Sequence, residues 1–320
     1  MVGLLGTGDE FLHAIERTFG ADIHVRGNEI TVTGEPQENA LITALFEQLI
    51  ELVSSGAELS ADLIERSVGL LRRKSGLKPV DVLNVGILSA RGRTIRPKTL
   101  NQKRYVDAID AHTIVFAIGP AGTGKTYLAM AKAVKALQDK EVNRIILTRP
   151  AVEAGERLGF LPGTLFEKID PYLRPLYDAL HDMIDPDSIP RLTAAGTIEI
   201  APLAYMRGRT LNDSFIILDE AQNTSAEQMK MFLTRLGFGS RIVVTGDVTQ
   251  VDLPHGQTSG LRQVQDILDG LDDIHFTRLT SHDVVRHRLV GDIVDAYERY
   301  DARQESRGPA RGQGKAGRQQ

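Results

Sequence analysis

The chain has 320 residues, of which 42% are hydrophobic and 25% charged, as in an ordinary globular protein of about two domains. Its net charge of −4 excludes a global basic field for nucleic acid, so any such site must be local. The lack of cysteine excludes disulfides, thiolate metal sites and a cysteine nucleophile, and it fits a reducing compartment. No apolar run approaches the roughly 18 residues of a membrane span, so we expect a cytoplasmic protein without a membrane partner.

Residues 1–56 predict a small αββα domain. Strands at Asp22–Arg26 and Glu29–Thr33 flank Gly27-Asn28, a two-residue hairpin signal. Apolar side chains alternate with polar ones along both strands, so one face of the hairpin is buried. Residues 40–52 then carry apolar side chains at helical spacing.

Residues 57–98 predict a helix followed by a basic connector. The helix begins at an N-cap on Ser60 and ends near Arg73, and a hairpin is expected around Arg91-Gly92. Between positions 72 and 104 ten basic residues stand against one acid, Asp81. This local excess suits a nucleic-acid backbone. A solvated connector or a contact between subunits explains it equally well.

The main domain is predicted over residues 99–300, where strands alternate with helical stretches, as in a parallel α/β sheet. Its decisive motif is GxxxxGK[ST], between an apolar strand at 113–118 and a helix that starts near 127. In this setting backbone amides surround phosphate, a lysine reaches the β- and γ-phosphates, and a threonine ligates Mg²⁺. The predicted nucleotide-binding residues are Gly119, Pro120, Ala121, Gly122, Thr123, Gly124, Lys125 and Thr126.

A second apolar strand ends in two carboxylates, Asp219 and Glu220. Downstream of a phosphate-binding loop, this pattern predicts that Asp219 completes the Mg²⁺ shell begun by Thr126. Glu220 is the candidate for orienting or deprotonating the attacking water, and Lys125 is the third catalytic candidate.

Two glutamines complete the predicted site. Gln250 follows a strand at 241–246, where its amide could detect the γ-phosphate, although a simple turn after a strand gives the same pattern. Gln102 precedes the loop that begins at Gly119, and an amide there can pair with N6 and N7 of adenine. A lone glutamine is a weak signal, so a structural role stays open.

The last part of the chain, 301–320, is predicted to be a disordered basic tail, because positions 302–320 contain no Ile, Leu, Val or Phe. It could tether RNA weakly or simply aid solubility. The eight histidines form no metal-ligand pattern, so Mg²⁺ is expected only with ATP.

These segments resemble the first RecA-like domain of superfamily 1 helicases, and more closely the PhoH family of ATPases. The likeness rests on Gln102, the loop at 119–126, and the runs at 148–156, 207–210, 219–223 and 245–247. It implies a RecA-like ATPase core, assembly into a ring and a role in RNA metabolism. The segment from Thr148 to Glu156 would then face a nucleic-acid strand.

The N-terminal αββα order resembles a degenerate KH module, which clamps nucleic acid with a GxxG loop. Here the second glycine position is Asp9, whose carboxylate would repel phosphate. We therefore expect this domain to serve assembly rather than RNA binding.

A monomeric helicase needs a second RecA-like domain to bring an arginine to the γ-phosphate, and the stretch at 251–320 leaves no room for one in this sequence. An arginine of this kind contributes roughly 10³–10⁵ in rate. We expect a neighbouring subunit to supply it, with Arg286 and Arg288 as candidates, although both could be ordinary surface arginines.

The sequence thus predicts an ATPase that couples hydrolysis to RNA binding, unwinding or remodelling. The alternative is an ATP-gated scaffold that recruits a separate endoribonuclease and does no unwinding itself. Phosphoryl transfer to a small substrate is the third and weakest alternative.

Overall fold

The computed structural model describes residues 2–6, 9–54, 59, 61–72, 86–150, 165–254 and 256–285. The elements described below lie within one compact unit, Met1–Val284. Within the described residues, no helix combines the length and the apolar character needed to cross a membrane. Arg286, Arg288 and the tail at 301–320 lie outside the described residues.

The N-terminal part packs four helices around a two-stranded hairpin. Its elements are α1 (Val2–Leu5), α2 (Glu10–Thr18), β1 (Asp22–Arg26), β2 (Glu29–Thr33), α3 (Pro36–Ser54) and α4 (Ala61–Arg72). The hairpin is antiparallel with Asp22 opposite Thr33, and its predicted bounds are confirmed. Ile15, Ile42, Leu45 and Leu49 are fully buried between the helices. The predicted αββα order is present, and its relation to KH modules stays a prediction.

A second hairpin precedes the main sheet, as predicted. Strands β3 (Leu88–Ala90) and β4 (Arg93–Ile95) pair antiparallel. Both turn residues have positive φ, 52° at Arg91 and 75° at Gly92. A two-residue turn with both residues left-handed matches the right-handed twist of the strands that it joins.

The main domain is a six-stranded parallel sheet with helices on both faces. Its strands are β5 (Ile114–Ile118), β6 (Arg144–Arg149), β7 (Ile198–Pro202), β8 (Ser214–Leu218), β9 (Arg241–Gly246) and β10 (Ile274–Arg278). Their spatial order is β10-β5-β9-β8-β6-β7, with every neighbouring pair parallel. The predicted α/β class with a RecA-like parallel sheet is confirmed.

Both faces of this sheet are covered at its centre, where β5 and β8 are buried at every position and β9 at all but its first, as is typical of parallel sheets. One face, with Val115 and Ile217, packs against α5 (Leu100–Ala111), α6 (Lys125–Gln138) and α7 (Leu165–Met183). Beyond α7 lies the short helix α8 (Ile189–Ala194). The opposite face packs against α9 (Ala226–Leu233) and α10 (Gly260–Leu268).

Strand order decides where the chemistry gathers. Strand β9 lies between β5, which leads into the loop at 119–126, and β8, which leads into Asp219. Parallel strands end at the same edge, and ligands of open α/β sheets bind beyond that edge. The residues that follow β5, β6, β8 and β9 therefore meet at one place.

Candidate active site

The loop at 119–126 is shaped by glycines at positions where other residues would be strained or too large. Gly122 and Gly124 have φ of 79° and 78°. A Cβ on Gly119 would lie under 3.0 Å from the backbone oxygen of Leu279. Gly124 immediately precedes α6, whose first-turn amides have no acceptor within the helix and can bind phosphate.

The side chain of Lys125 lies over this loop. Its Nζ donates to the backbone oxygens of Gly119 (2.6 Å) and Pro120 (2.7 Å). Burial lowers the lysine pKa, and the carboxylates of Asp247, Glu220 and Asp219 oppose this effect. A bound triphosphate would replace the loop carbonyls as the partner of this ammonium.

Three oxygen groups converge beside the lysine. The hydroxyl of Thr126 donates to Oδ1 of Asp219 at 2.6 Å, and the hydroxyl of Thr245 donates to the same oxygen at 2.8 Å. Hydroxyl and carboxylate oxygens are the ligands that Mg²⁺ prefers, usually together with water and phosphate oxygens. The donor set fits Mg²⁺, and Thr126 and Asp219 are the residues that would hold it.

Glu220 is placed by an unusual backbone conformation, with φ of 52° and ψ of 40°. One of its oxygens accepts a hydrogen bond from Nε2 of Gln222. The guanidinium of Arg149, at the end of β6, lies 3.8 Å from Oδ2 of Asp219 and 3.8 Å from Oε1 of Glu220. Arg149 therefore partly neutralises the acid pair.

The segment after β9 closes the site. The side-chain oxygen of Gln222 accepts from the amide of Asp247 at 3.0 Å, and Gln250 donates to Oδ2 of Asp247 at 3.0 Å. Asp247 and Gln250 border a cavity of about 250 Å³. Eight predicted residues line it: Ala121, Gly122, Gly124, Lys125, Thr126, Asp219, Glu220 and Gln250.

Gln102 lies behind the loop and is 2% exposed. Its Oε1 accepts from the amide of Lys98 at 2.7 Å, and its Nε2 donates to the backbone oxygens of Thr123 (3.0 Å) and Asp283 (3.3 Å). In this conformation the amide fastens the phosphate-binding loop to the segment after β10. Its adenine-reading role stays a prediction.

Four further contributors are not assigned to the nucleotide site by the sequence: Arg149 beside the acids, which is expected to face nucleic acid, and Tyr127, Thr245 and Gln222. Tyr105 stabilises the end of the loop, because its buried hydroxyl donates to the backbone oxygen of Lys125 at 3.0 Å. Arg149, Gln222 and Thr245 lie within the runs at 148–156, 219–223 and 245–247, and Tyr127 directly follows the loop at 119–126. The available signal is position at the carboxyl end of a parallel strand or in the first turn of α6.

The chain is similar in sequence to known proteins over most of its length. Residues 94–298 match the family described as PhoH-like protein. The chain is 70% identical over 301 residues to a PhoH-like protein of Mycobacterium tuberculosis, which covers 94% of this chain and 86% of that protein. It is 50% identical over 300 residues to one of Bacillus subtilis, with 93% and 94% covered. The structure is distantly similar to the Sulfolobus solfataricus SWI2/SNF2 ATPase core in complex with dsDNA, with 16% sequence identity and a TM-score of 0.35. The match covers 56% of this chain and 43% of that chain.

Proposed function

Since the chain belongs to the PhoH-like protein family, we propose that this P-loop NTPase hydrolyses ATP with Mg²⁺ in the cytoplasm and couples hydrolysis to RNA binding, unwinding or remodelling. The observation that carries the proposal is the hydrogen bond of 2.6 Å between Thr126 and Asp219. It joins the phosphate-binding loop to the acid pair across strand β9, so both halves of a nucleotide site face one cavity.

Each of these residues has a separate role in hydrolysis. Mg²⁺, held by Thr126 and Asp219, would neutralise charge on the β- and γ-phosphates. Lys125 binds the same oxygens, and its ammonium stabilises the charge that develops as the bond between the γ-phosphorus and the bridging oxygen breaks. Glu220 accepts a hydrogen bond from the attacking water and aligns it with that bond. Gln250 donates to Asp247 and borders the same cavity, and its proposed role is to contact the γ-phosphate.

Two substitutions test the hydrolytic part. Lys125→Ala should abolish turnover because it removes the charge over the phosphates. Glu220→Gln should keep ATP binding and lower kcat by about 10²–10⁴, the range for loss of a general base. Glu227→Gln, on the exposed first turn of α9, is the matched control and should keep the wild-type rate. Retained turnover in Lys125→Ala would refute the assignment.

Support for the RNA part comes from position and charge. Arg149 ends β6 beside the acid pair, and the basic hairpin β3–β4 packs on α6 and α7. ATPase rate should therefore rise when single-stranded RNA is added. Unchanged rates over a range of RNA lengths would remove this part of the proposal and leave the ATPase assignment intact.

The scaffold alternative predicts a different result. A protein that only recruits an endoribonuclease would bind RNA or the nuclease in an ATP-dependent way and would fail to separate a duplex by itself. A strand-displacement assay with purified protein, ATP and a duplex with a single-stranded overhang distinguishes the two. Displacement that Glu220→Gln abolishes favours the remodelling enzyme.

The proposal includes assembly into a ring in which a neighbouring subunit supplies Arg286 or Arg288. Its test is complementation. A Lys125→Ala protein and an Arg286→Ala/Arg288→Ala protein should each be inactive, while their mixture should recover activity because one subunit completes the site of the other. No recovery in mixed oligomers would contradict a shared site.

A further inference from the structure

A second cavity lies against the first and is not explained by phosphate or metal binding. Its volume is about 290 Å³, and Tyr127 is the residue that borders both cavities. Such a volume is at the low end for small-molecule sites, which span roughly 300–1,000 Å³. The remaining lining residues come from the hairpin and from the end of α7: Ala90, Arg91, Arg93, Ile95 and Asp182.

The position of Tyr127 relates this cavity to the nucleotide. Tyr127 follows Lys125 and Thr126 in the first turn of α6, and its side chain is 38% exposed. Successive amides of that turn run along a bound phosphate chain. A side chain two residues beyond the lysine would therefore lie near the portion of a bound nucleotide that follows the phosphates.

The cavity wall is held in place by long-range contacts. Arg91 donates to the backbone oxygen of His181 at 2.9 Å, which ties the hairpin turn to the end of α7. Ile95 and Ala90 pack against the core beneath the sheet. The two arginines and Asp182 thus face Tyr127 from two elements whose relative position is fixed.

This inference rests on the proposed function and adds the recognition of the base. We propose that the cavity between the β3–β4 hairpin and α7 binds the purine and ribose of the nucleotide, with the base stacked on Tyr127. The guanidinium of Arg93 donates to ring nitrogens or ribose oxygens, and the carboxylate of Asp182 accepts from an exocyclic amine or a ribose hydroxyl. The engagement of the Gln102 amide by Lys98, Thr123 and Asp283 supports a base site elsewhere.

The electrostatics agree with stacking. Burial raises the pKa of the Tyr127 phenol, Asp182 raises it further and Arg93 lowers it. The ring is therefore neutral at physiological pH. The phenol ring therefore offers an uncharged π surface, which can stack on any base. The charged groups at the cavity edge would discriminate between bases.

The test compares two ligands that share phosphates and differ in the base. Binding of ATP and of inorganic tripolyphosphate, each with Mg²⁺, is measured by calorimetry for the full-length wild type, Tyr127→Ala and Tyr127→Phe. Tyr127→Ala should weaken ATP by about tenfold or more, the size of one base–aromatic stack, and leave tripolyphosphate unchanged. Tyr127→Phe should keep both affinities. Tyr205→Ala, which removes an exposed tyrosine elsewhere, is the matched control.

The outcomes separate this inference from the proposed function. Equal changes in ATP and tripolyphosphate, or no change in either, would overturn the base site while the phosphate site stands. A wild type that binds neither ligand would overturn both. For the edge residues, Asp182→Asn and Arg93→Gln should alter the ratio of ATP to GTP affinity, and a loss of RNA affinity with that ratio unchanged would assign the hairpin to RNA instead.

Discussion

Asp283 is buried in the segment after β10, and its backbone oxygen accepts a hydrogen bond from Gln102, which also holds the phosphate-binding loop. Replacing Asp283 should therefore destabilise the fold. Its carboxylate accepts hydrogen bonds from the hydroxyl of Thr99 (2.6 Å), the amide of Asn101 (3.0 Å), and both the backbone amide (2.7 Å) and hydroxyl (3.1 Å) of Thr280. Asp283→Asn places an amide donor among these donors and removes the charge.

The expected loss follows from those contacts. A hydrogen bond to a charged acceptor contributes about 1.5–3 kcal/mol, but four bonds to one carboxylate are not additive, and relief from burying the charge offsets part of the sum. We expect Asp283→Asn to lower the free energy of unfolding by roughly 3–5 kcal/mol, the range for breaking a buried charged network. ATP affinity should fall as well, because Gln102 holds the loop through the Asp283 backbone.

Urea unfolding followed by far-UV circular dichroism measures the effect in a chain that has no tryptophan. Asp266→Asn, on the exposed face of α10, is the control and should change stability by less than about 0.5 kcal/mol. A loss for Asp283→Asn below about 1 kcal/mol would refute the reasoning, because the network would then contribute no more than a surface ion pair.

The same carboxylate gives this prediction a pH dependence. Burial raises the pKa of Asp283, but the hydrogen bonds from Asn101, Thr99 and Thr280 outweigh burial and hold it below the ordinary 3.8. A depressed folded-state pKa means that the stabilisation is present above the unfolded pKa and is lost as pH falls through the folded one. The gap between wild type and Asp283→Asn should be constant above about pH 5 and narrow in more acidic solution. A difference in the free energy of unfolding between the two proteins that grows as the pH falls would contradict this prediction.

Three further substitutions test the site. Gly119→Ala puts a Cβ under 3.0 Å from the backbone oxygen of Leu279, so it should destabilise the fold by about 1–3 kcal/mol in urea unfolding and lower ATP affinity. Thr126→Val keeps the shape and removes the hydroxyl donor to Asp219, so the Mg²⁺ concentration for half-maximal ATPase rate should rise by at least about tenfold. Because burial lowers the pKa of Lys125, affinity for a nonhydrolysable ATP analogue should decline with rising pH before the ordinary lysine value of 10.5 is reached.

Each of these has a matched control. Gly69→Ala, in α4 with open space around the added methyl, should be neutral or stabilising. Thr126→Ser should restore the wild-type Mg²⁺ requirement. Lys125→Arg keeps its charge at every pH tested, so its affinity, even if weaker, should not change between pH 7 and pH 10. A parallel decline in Lys125→Arg would assign the pH effect to another group.

Local features of the sequence predict much of the fold and the centre of the site. The hairpin at 22–33 is a two-residue turn between alternating strands, and the loop at 119–126 is a fixed pattern of glycines between a strand and a helix. Both are determined by backbone conformations that adjacent residues allow. Asp219 and Glu220 are found in the same way, because an apolar strand that ends in acids is readable without its neighbours.

Only the tertiary structure decided which side chains those features meet. Gln102, Tyr127 and Arg149 are remote from the acid pair in the sequence. The sequence alone does not show which side chain each of them contacts. The pairing of β6 with β8 brings Arg149 to the acids, and the packing of α7 against the β3–β4 hairpin brings Arg93 and Asp182 to Tyr127. Backbone conformation depends on near neighbours, whereas a side-chain partner is selected by strand order and packing between segments remote in the chain.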